Sequence, residues 1–278
     1  MSLSSEALAA LGGRVARVER VGGGDINEGW RVDFTDGRRS FVKTRADPGP
    51  GEYAAEAAGL RWLGAAGGLR VPDVRAVGGD FLELEWIDPG RLDAAGAAEL
   101  GHGLAAVHAA GAGGFGGAAA LRIGRLVVPN AGLPSWPEFY AERRLRPLAG
   151  PARLTERGAR ALERVCDRIE DLAGPPEPAA RVHGDLWSGN VLAGEDGRPW
   201  LIDPIAHGGH REVDLAMLAL FGGPPPGTLE AYAEAAPLAD GWEDRVGLWQ
   251  LFPLLVHAVL FGGSYPGSVE RIAVRYAG

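Results

Sequence analysis

The chain is 278 residues long, 46% hydrophobic and 23% charged, which supports a substantial core and excludes a disordered chain. A formal net charge of −8 with no dense basic run argues against a nucleic-acid surface, because the phosphate backbone repels such a chain. The longest apolar stretch, Leu248 to Phe261, holds Gln250, Pro253 and His257 and falls short of the ~20 residues that a bilayer span needs.

In chain order, Ser4 to Leu11 reads as a short helix with a serine cap. Arg14 to Val21 reads as a strand, and Gly22 to Asn27 as a turn. Trp30 to Phe34 and Ser40 to Thr44 are strands joined by a hairpin at Asp36-Gly37. Gly51 to Ala66 is a helix stopped by Gly67-Gly68; Val74 to Val77 and Phe81 to Ile87 are strands joined at Gly78-Gly79-Asp80. These elements predict a five-stranded antiparallel sheet with one inserted helix. Beyond it the texture turns helical: Leu92 to Ala110, Ser135 to Leu148, Thr155 to Ala173, Arg211 to Phe221, Thr228 to Ala236, Trp242 to Phe261 and Ser268 to Tyr276, with a compact β-rich interval from Val182 to Asp203. The predicted class is therefore α+β and bilobal. A β-rich lobe spans residues 1–87, a linker lies near Asp88-Pro89-Gly90, and a mainly helical lobe spans 88–278. Clefts between such lobes are favoured ligand sites. The N-terminus shows no basic segment followed by an apolar one, so a cytoplasmic protein is expected. The single cysteine, Cys166, excludes an internal disulfide and reads as a small core residue.

Of the 28 basic residues, Lys43 is the only lysine. A chain that uses arginine wherever a generic positive charge suffices marks its lone lysine as a candidate for a compact ammonium; survival by chance on a strand face is the alternative. The segment His183-Gly184-Asp185-Leu186-Trp187-Ser188-Gly189-Asn190 fits H-x-D-x-x-x-x-N, and Asp203 follows at the end of the apolar strand Trp200-Leu201-Ile202. In phosphoryl transfer one carboxylate takes the attacking hydroxyl's proton while an amide oxygen and a second carboxylate hold magnesium on the phosphates. An Asx-turn at Asp185 with a strand-terminating Asp203 is the structural alternative. The glycines at 22–24 let backbone amides approach phosphate oxygens, although most such turns are plain. Lys43 follows on a strand, and the next helix offers Glu52 and Glu56 as its carboxylate partner; Glu56 is preferred and Glu52 reads as a solvated face residue. Six weak-to-moderate signals in the correct order weigh more than any one.

That order resembles a protein-kinase-like fold, and the wording of residues 183–190 resembles the fructosamine kinase (ketosamine 3-kinase) family. Residues 22–27, Trp136 to Leu145, Gly209 to Met217 and Trp249 to Gly263 agree with it, so the resemblance covers nearly the whole chain. Aminoglycoside and choline kinases share the frame, usually without Trp187-Ser188. The resemblance implies Asp185 as catalytic base and Asn190 and Asp203 on Mg2+. It implies Lys43 on the ATP phosphates and paired with Glu56, and a covering turn of Gly22, Gly23, Gly24, Asp25 and Asn27. It also implies the Glu85-Trp86-Ile87 backbone against adenine and Asp214 bracing the catalytic loop. For Asp214 a helix-dipole role is the alternative. Trp187 is expected to floor the acceptor pocket, and Glu212 and Asp214 to lend negative potential to an amine-bearing acceptor. Asp203-Pro204-Ile205-Ala206-His207-Gly208 and the stretch Ile123 to Asn130 depart from the family's pattern, which bears on acceptor preference.

Only residues 204–210 separate Asp203 from the next helix, too few for the activation segment with which a protein kinase docks a peptide. The expected activity is ATP-dependent phosphorylation of the 3-hydroxyl of a ketosamine, a ribulosamine or fructosamine on a small amine or a glycated protein lysine. The adduct then falls apart, a deglycation repair. The expected protein is a monomer with no nucleic-acid or membrane partner. The alternatives are a kinase of another amine-bearing acceptor, such as an aminoglycoside or amino alcohol, and a non-catalytic nucleotide-binding relic. The relic's usual signature is loss of the base, the metal ligands or the strand lysine, and none is lost here.

Overall fold

A computed structural model of the protein describes residue 3 and residues 5–22, 27–45 and 47–278. Helix α1 (Ser5–Ala10) precedes strands β1 (Val15–Val21), β2 (Glu28–Phe34) and β3 (Arg39–Thr44); helix α2 (Glu52–Gly64) follows, then β4 (Val74–Val77) and β5 (Phe81–Glu85). The strands form one sheet in the order β1-β2-β3-β5-β4, with every neighbouring pair antiparallel. Strand alternation divides the side chains between two helices. Trp30, Val32, Phe34, Val42 and Phe81 pack with Leu3, Ala7 and Leu11 on the α1 side. Leu82 and Leu84 pack with Tyr53, Ala57 and Leu60 of α2 on the other. Lys43, next to Val42, therefore emerges on the α2 face, where the helix carboxylates are.

The second part begins with α3 (Ala94–Ala109) and the hairpin β6 (Leu121–Ile123) and β7 (Leu126–Val128). Helix α4 (Trp136–Tyr140) widens into a π-type turn at Ala141–Leu145 before α5 (Arg146–Ala149); α6 (Glu156–Asp167) and α7 (Ile169–Leu172) follow. Strands β8 (Ala180–Val182), β9 (Val191–Ala193), β10 (Pro199–Leu201) and β11 (His207–Gly209) pair as β9–β10 and β8–β11. Helices α8 (Glu212–Leu220), α9 (Thr228–Ala235), α10 (Trp242–Phe261) and α11 (Tyr265–Ala277) close the chain.

Besides shifts of one or two residues at other ends, four elements differ from the sequence reading. The predicted helix 135–148 is broken by the π-type turn just before Pro147, a residue with no N–H to continue the ladder. The predicted helix 155–173 breaks at Arg168, whose φ of −107° and ψ of 10° lie outside the helical well. Helix α11 starts earlier, because Pro266 in its first turn is preorganised for it. The strand predicted to Ile87 stops at Glu85.

Two buried clusters build the helical part. One gathers Phe139, Tyr140, Leu162, Val165, Leu248, Trp249 and Leu255, and it includes Cys166. The other gathers Leu100, Leu104, Leu186, Leu201, Leu215 and Tyr232 with Leu63 and Leu69 from the end of α2 and the segment after it. Each fully buried leucine contributes about 1.5–3 kcal/mol, so the second cluster is what seats the sheet and α2 above the segment 183–203. At the junction Asp88 takes a bidentate ion pair from Arg39 at 2.5 Å, and the Gly90 amide donates to the Ala193 carbonyl at 2.8 Å. Among the described residues no helix is long and apolar enough to cross a membrane.

Candidate active site

Lys43 reaches across the gap between sheet and helices. Its Nζ donates to Glu56 Oε1 of α2 at 2.8 Å and to Asp203 Oδ1 beyond β10 at 2.6 Å. Burial opposes the ammonium's charge, and the two carboxylates outweigh it, so the lysine's pKa lies above its ordinary value. Glu52 is turned elsewhere, onto Arg45 at 2.6 Å and the Gly49 amide at 2.9 Å. Asp203 holds its place at a cost: its φ of 57° is left-handed, a conformation taken by only two non-glycine residues among those described. Such strain, about 1–2 kcal/mol, persists where surrounding contacts over-determine it and concentrates at functional sites.

The loop 183–190 is laced from three sides. His183 Nε2 donates to the Ile202 carbonyl at 2.9 Å, and its Nδ1 accepts the Asp185 amide at 3.2 Å. Burial lowers the imidazole's pKa, which keeps the ring in the neutral form that this donor–acceptor pattern requires. Gly184 adopts φ 84°, and a Cβ there would sit 2.6 Å from the Ile205 carbonyl oxygen, so no side chain fits between the loop and the segment after Asp203. From below, Asp214 of α8 accepts the His183 amide at 2.7 Å and the Gly184 amide at 2.9 Å. Its carboxylate is itself held by His108 Nε2 at 3.2 Å, and His108 Nδ1 meets the Tyr232 hydroxyl at 2.8 Å. Burial opposes the charge of Asp214, but these bonds and the neighbouring imidazoles hold its carboxyl below the ordinary value.

Asp185 lies at the open end of this lattice. Asn190 Nδ2 donates to its carbonyl at 2.7 Å and to its Oδ2 at 3.0 Å. Burial, helped by the charges of Asp203 and Asp214 and opposed by the Asn190 bond, pushes the Asp185 carboxyl up to about 7. A carboxyl poised there is matched to proton transfer near neutral pH. With Nδ2 spent on Asp185, Asn190 has its Oδ1 free, and Asp203 has its Oδ2 free. Two hard oxygen donors suit Mg2+, which keeps waters and binds phosphates rather than filling an all-protein cage. Among the described residues no group of three or more His, Cys, Asp or Glu side chains is placed to hold a metal.

The other predicted residues fall as follows. Gly22 follows β1 and Asn27 precedes β2, and Tyr53 Oη donates to Asn27 Oδ1 at 3.3 Å; Gly23, Gly24 and Asp25 lie outside the described residues. Glu85, Trp86 and Ile87 run from the end of β5 into the junction. The Glu85 amide is taken by the Asp73 carbonyl at 2.8 Å, and Trp86 is fixed by its Nε1 bond to Asp88 at 3.1 Å and by Arg31 5.1 Å from its ring centre. Trp187, in the same loop as Asp185, is 38% exposed.

Glu212 is a correction. It is 2% exposed and receives Arg245 through two bonds, at 2.6 and 2.9 Å, and Trp249 Nε1 at 2.8 Å. Its charge is cancelled inside the core and faces no acceptor. Asp214 likewise is fully buried under the loop, so it lends no charge to a bound amine through contact. Sequence reasoning missed His108 and Tyr232 as partners of Asp214, for no local pattern distinguishes a helix histidine that meets a carboxylate more than a hundred residues away. It also missed Arg144, buried without a carboxylate. That guanidinium is held by the Pro129 carbonyl and Asn130 Oδ1, both at 2.7 Å, and faces the Phe139 ring 4.5 Å away.

Known proteins carry the same frame. The family model described as fructosamine kinase matches residues 3–276. A protein of Enterococcus faecium named as a probable ketoamine kinase is 37% identical over 92% of this chain and 94% of its own. The chloroplastic protein-ribulosamine 3-kinase of Arabidopsis thaliana is 32% identical over 95% of this chain and 83% of its own. A crystal structure from Thermobifida fusca assigned as a fructosamine-3-kinase superposes with a TM-score of 0.91 at 45% identity, covering 99% of this chain and 98% of that one. More distant solved kinases of small molecules share the protein-kinase-like fold alone.

Proposed function

We propose, from the premise that the chain belongs to the fructosamine kinase family, that it transfers the terminal phosphoryl group of ATP to the 3-hydroxyl of a ketosamine. The observation that carries the chemistry is the geometry of Asp185, aligned by Asn190 at 3.0 Å within a loop that Asp214 and His183 immobilise, with Lys43 bridging Glu56 and Asp203 beside it. In this reading Asp185 accepts the proton of the acceptor hydroxyl as the oxygen attacks phosphorus. Lys43, steadied by Glu56, neutralises phosphate charge, and the glycine-rich segment 22–27 covers the phosphates. The backbone of residues 85–87 borders the adenine. Asn190 Oδ1 and Asp203 Oδ2 would hold Mg2+, which supplies charge neutralisation on the phosphates when bound. The lobes divide at Ile87 and Asp88, with residues 1–87 on the nucleotide side and 88–278 carrying base and acceptor. Trp187 borders the acceptor. The names of the bacterial and plant relatives support ketosamines as acceptors, and phosphorylation at that position makes the adduct labile, a deglycation. The proposed setting is a monomer in the cytoplasm; a lone buried Cys166 needs no oxidising compartment.

The test is an acceptor panel of ribulosamine, fructosamine and an aminoglycoside with Mg-ATP, the phosphate position read by NMR. Phosphate on the ketosamine 3-oxygen is expected. Turnover of the aminoglycoside alone, or phosphate at another oxygen, would overturn the assignment.

A further inference from the structure

Two adjacent side chains of the catalytic loop dock on one residue outside it. The Trp187 ring meets Phe221 edge-on, with centroids 6.3 Å apart at 81°, and Ser188 Oγ donates to the Phe221 carbonyl at 3.2 Å. The indole also closes over Gly189, where a Cβ would lie 2.2, 2.4 and 2.6 Å from three atoms of its six-membered ring. Glycine is needed at 189 to admit that ring. From Phe221 the aromatics continue: His257 is 5.0 Å away, and Tyr265 and Phe261 lie 4.9 and 5.5 Å from His257. His257 is fixed by its Nδ1 bond to the Pro253 carbonyl at 2.7 Å. The row thus runs from the catalytic loop to the junction of α10 and α11, and both its ends are open to solvent, Trp187 at 38% and Phe261 at 55% exposure. Rings held in fixed mutual geometry yet left wet are what a ligand surface offers, since their apolar area is gained only when something covers it.

We propose that this row is the subsite for the amine side of the acceptor: the carbon arm that joins a ketosamine nitrogen to the rest of a lysine-like amine. The inference rests on the ketosamine kinase reading above. Continuity with Asp185 selects the occupant. In a ketosamine only two carbons stand between the carbon bearing the 3-hydroxyl and the nitrogen, so a hydroxyl at Asp185 brings the nitrogen beside the ring two residues further along. A secondary ammonium there gains a cation–π contact with the indole. The methylenes of a lysine arm beyond it cover Phe221, 6.3 Å from the indole, and the peptide group at their far end extends over His257 toward Phe261, a path that a one-carbon arm does not enter.

The experiment compares the ribulose adducts of methylamine and of a lysine inside a short capped peptide as substrates. The readout is the ratio of kcat/KM for the long arm to that for the short one. Phe221→Ala is expected to lower that ratio about tenfold and Phe261→Ala about threefold, the scale of a lost apolar pocket contact. Because Phe261 is exposed, the second variant keeps its fold even if the first does not. A ratio unmoved in Phe261→Ala overturns the subsite, whatever happens to the absolute rates. A wild-type mass twice that of the chain, reduced to one copy in Phe261→Ala with the ratio unmoved, gives the row to a second copy and also overturns it. Absence of wild-type turnover on both adducts refutes the ketosamine reading itself, so the two failures are distinct.

Discussion

Asp185→Asn is expected to make the protein more stable and nearly inactive. The carboxyl titrates at about 7 in the folded chain and at about 3.9 when unfolded. Between these values the folded state holds a proton that the unfolded state has lost, so stability falls as pH rises, and the full cost is present above pH 7. The gap of about three pH units corresponds to about 4 kcal/mol as an upper limit. Residual solvent contact and relaxation around a half-buried group reduce this to about 1–2 kcal/mol. The amide is isosteric and still accepts the Asn190 Nδ2 bond now made to Oδ2 at 3.0 Å, so no partner is orphaned. For a chain of this size about 1.5 kcal/mol raises Tm by about 3 °C. The assay is thermal unfolding of both proteins without nucleotide at pH 8 and at pH 5, beside turnover at pH 8. The expected gap is largest at pH 8 and shrinks at pH 5, while turnover falls by about 10²–10⁴. A variant no more stable than wild type at pH 8, or a gap that grows on acidification, would refute the assignment of a burial-perturbed carboxylate to the reaction centre.

The remaining predictions concern the same lattice. The kcat/KM profile for the acceptor in saturating Mg-ATP should lose activity on the acid side, because only the ionised Asp185 accepts a proton, with a midpoint below the value of about 7 of the nucleotide-free chain, since a cation on Asn190 and Asp203 favours the ionised carboxyl; activity that rises on acidification would assign the base elsewhere. Glu212→Ala should destabilise the fold by about 3–5 kcal/mol, since it leaves the Arg245 guanidinium buried without its bidentate partner. Urea unfolding reads that loss, and KM for the acceptor should not move in the protein that remains folded. A raised KM with unchanged stability would return Glu212 to the acceptor cleft.

How far the fold and site could be read from the sequence follows from the range of the forces involved. The sheet was legible because strand periodicity and the Asp36-Gly37 turn are local, and a five-residue strand such as Phe81–Glu85 carries its own alternation. The hairpin β6–β7 and strand β11 were not, because three residues each are too few to show a period; they exist through pairings such as His207 with Val182. Lys43, Asp185, Asn190 and Asp203 were legible because chemistry demands residue types in a fixed order, and the lone lysine stood out against 27 arginines. Glu212 misled for the opposite reason: a carboxylate near the catalytic motif looks the same in sequence whether it faces solvent or a buried guanidinium thirty-three residues on. The His108–Asp214–Tyr232 chain belongs to the same class. Burying any one of these groups alone would be costly, so each is tolerable only because distant elements deliver the others to it. Sequence order therefore exposes the residues that touch a substrate, whereas the residues that hold them still are specified by the folded assembly. Asp214 joins the two sets. Its place in the first turn of α8 is visible in the sequence, while its two loop amides and its histidine are supplied by the fold.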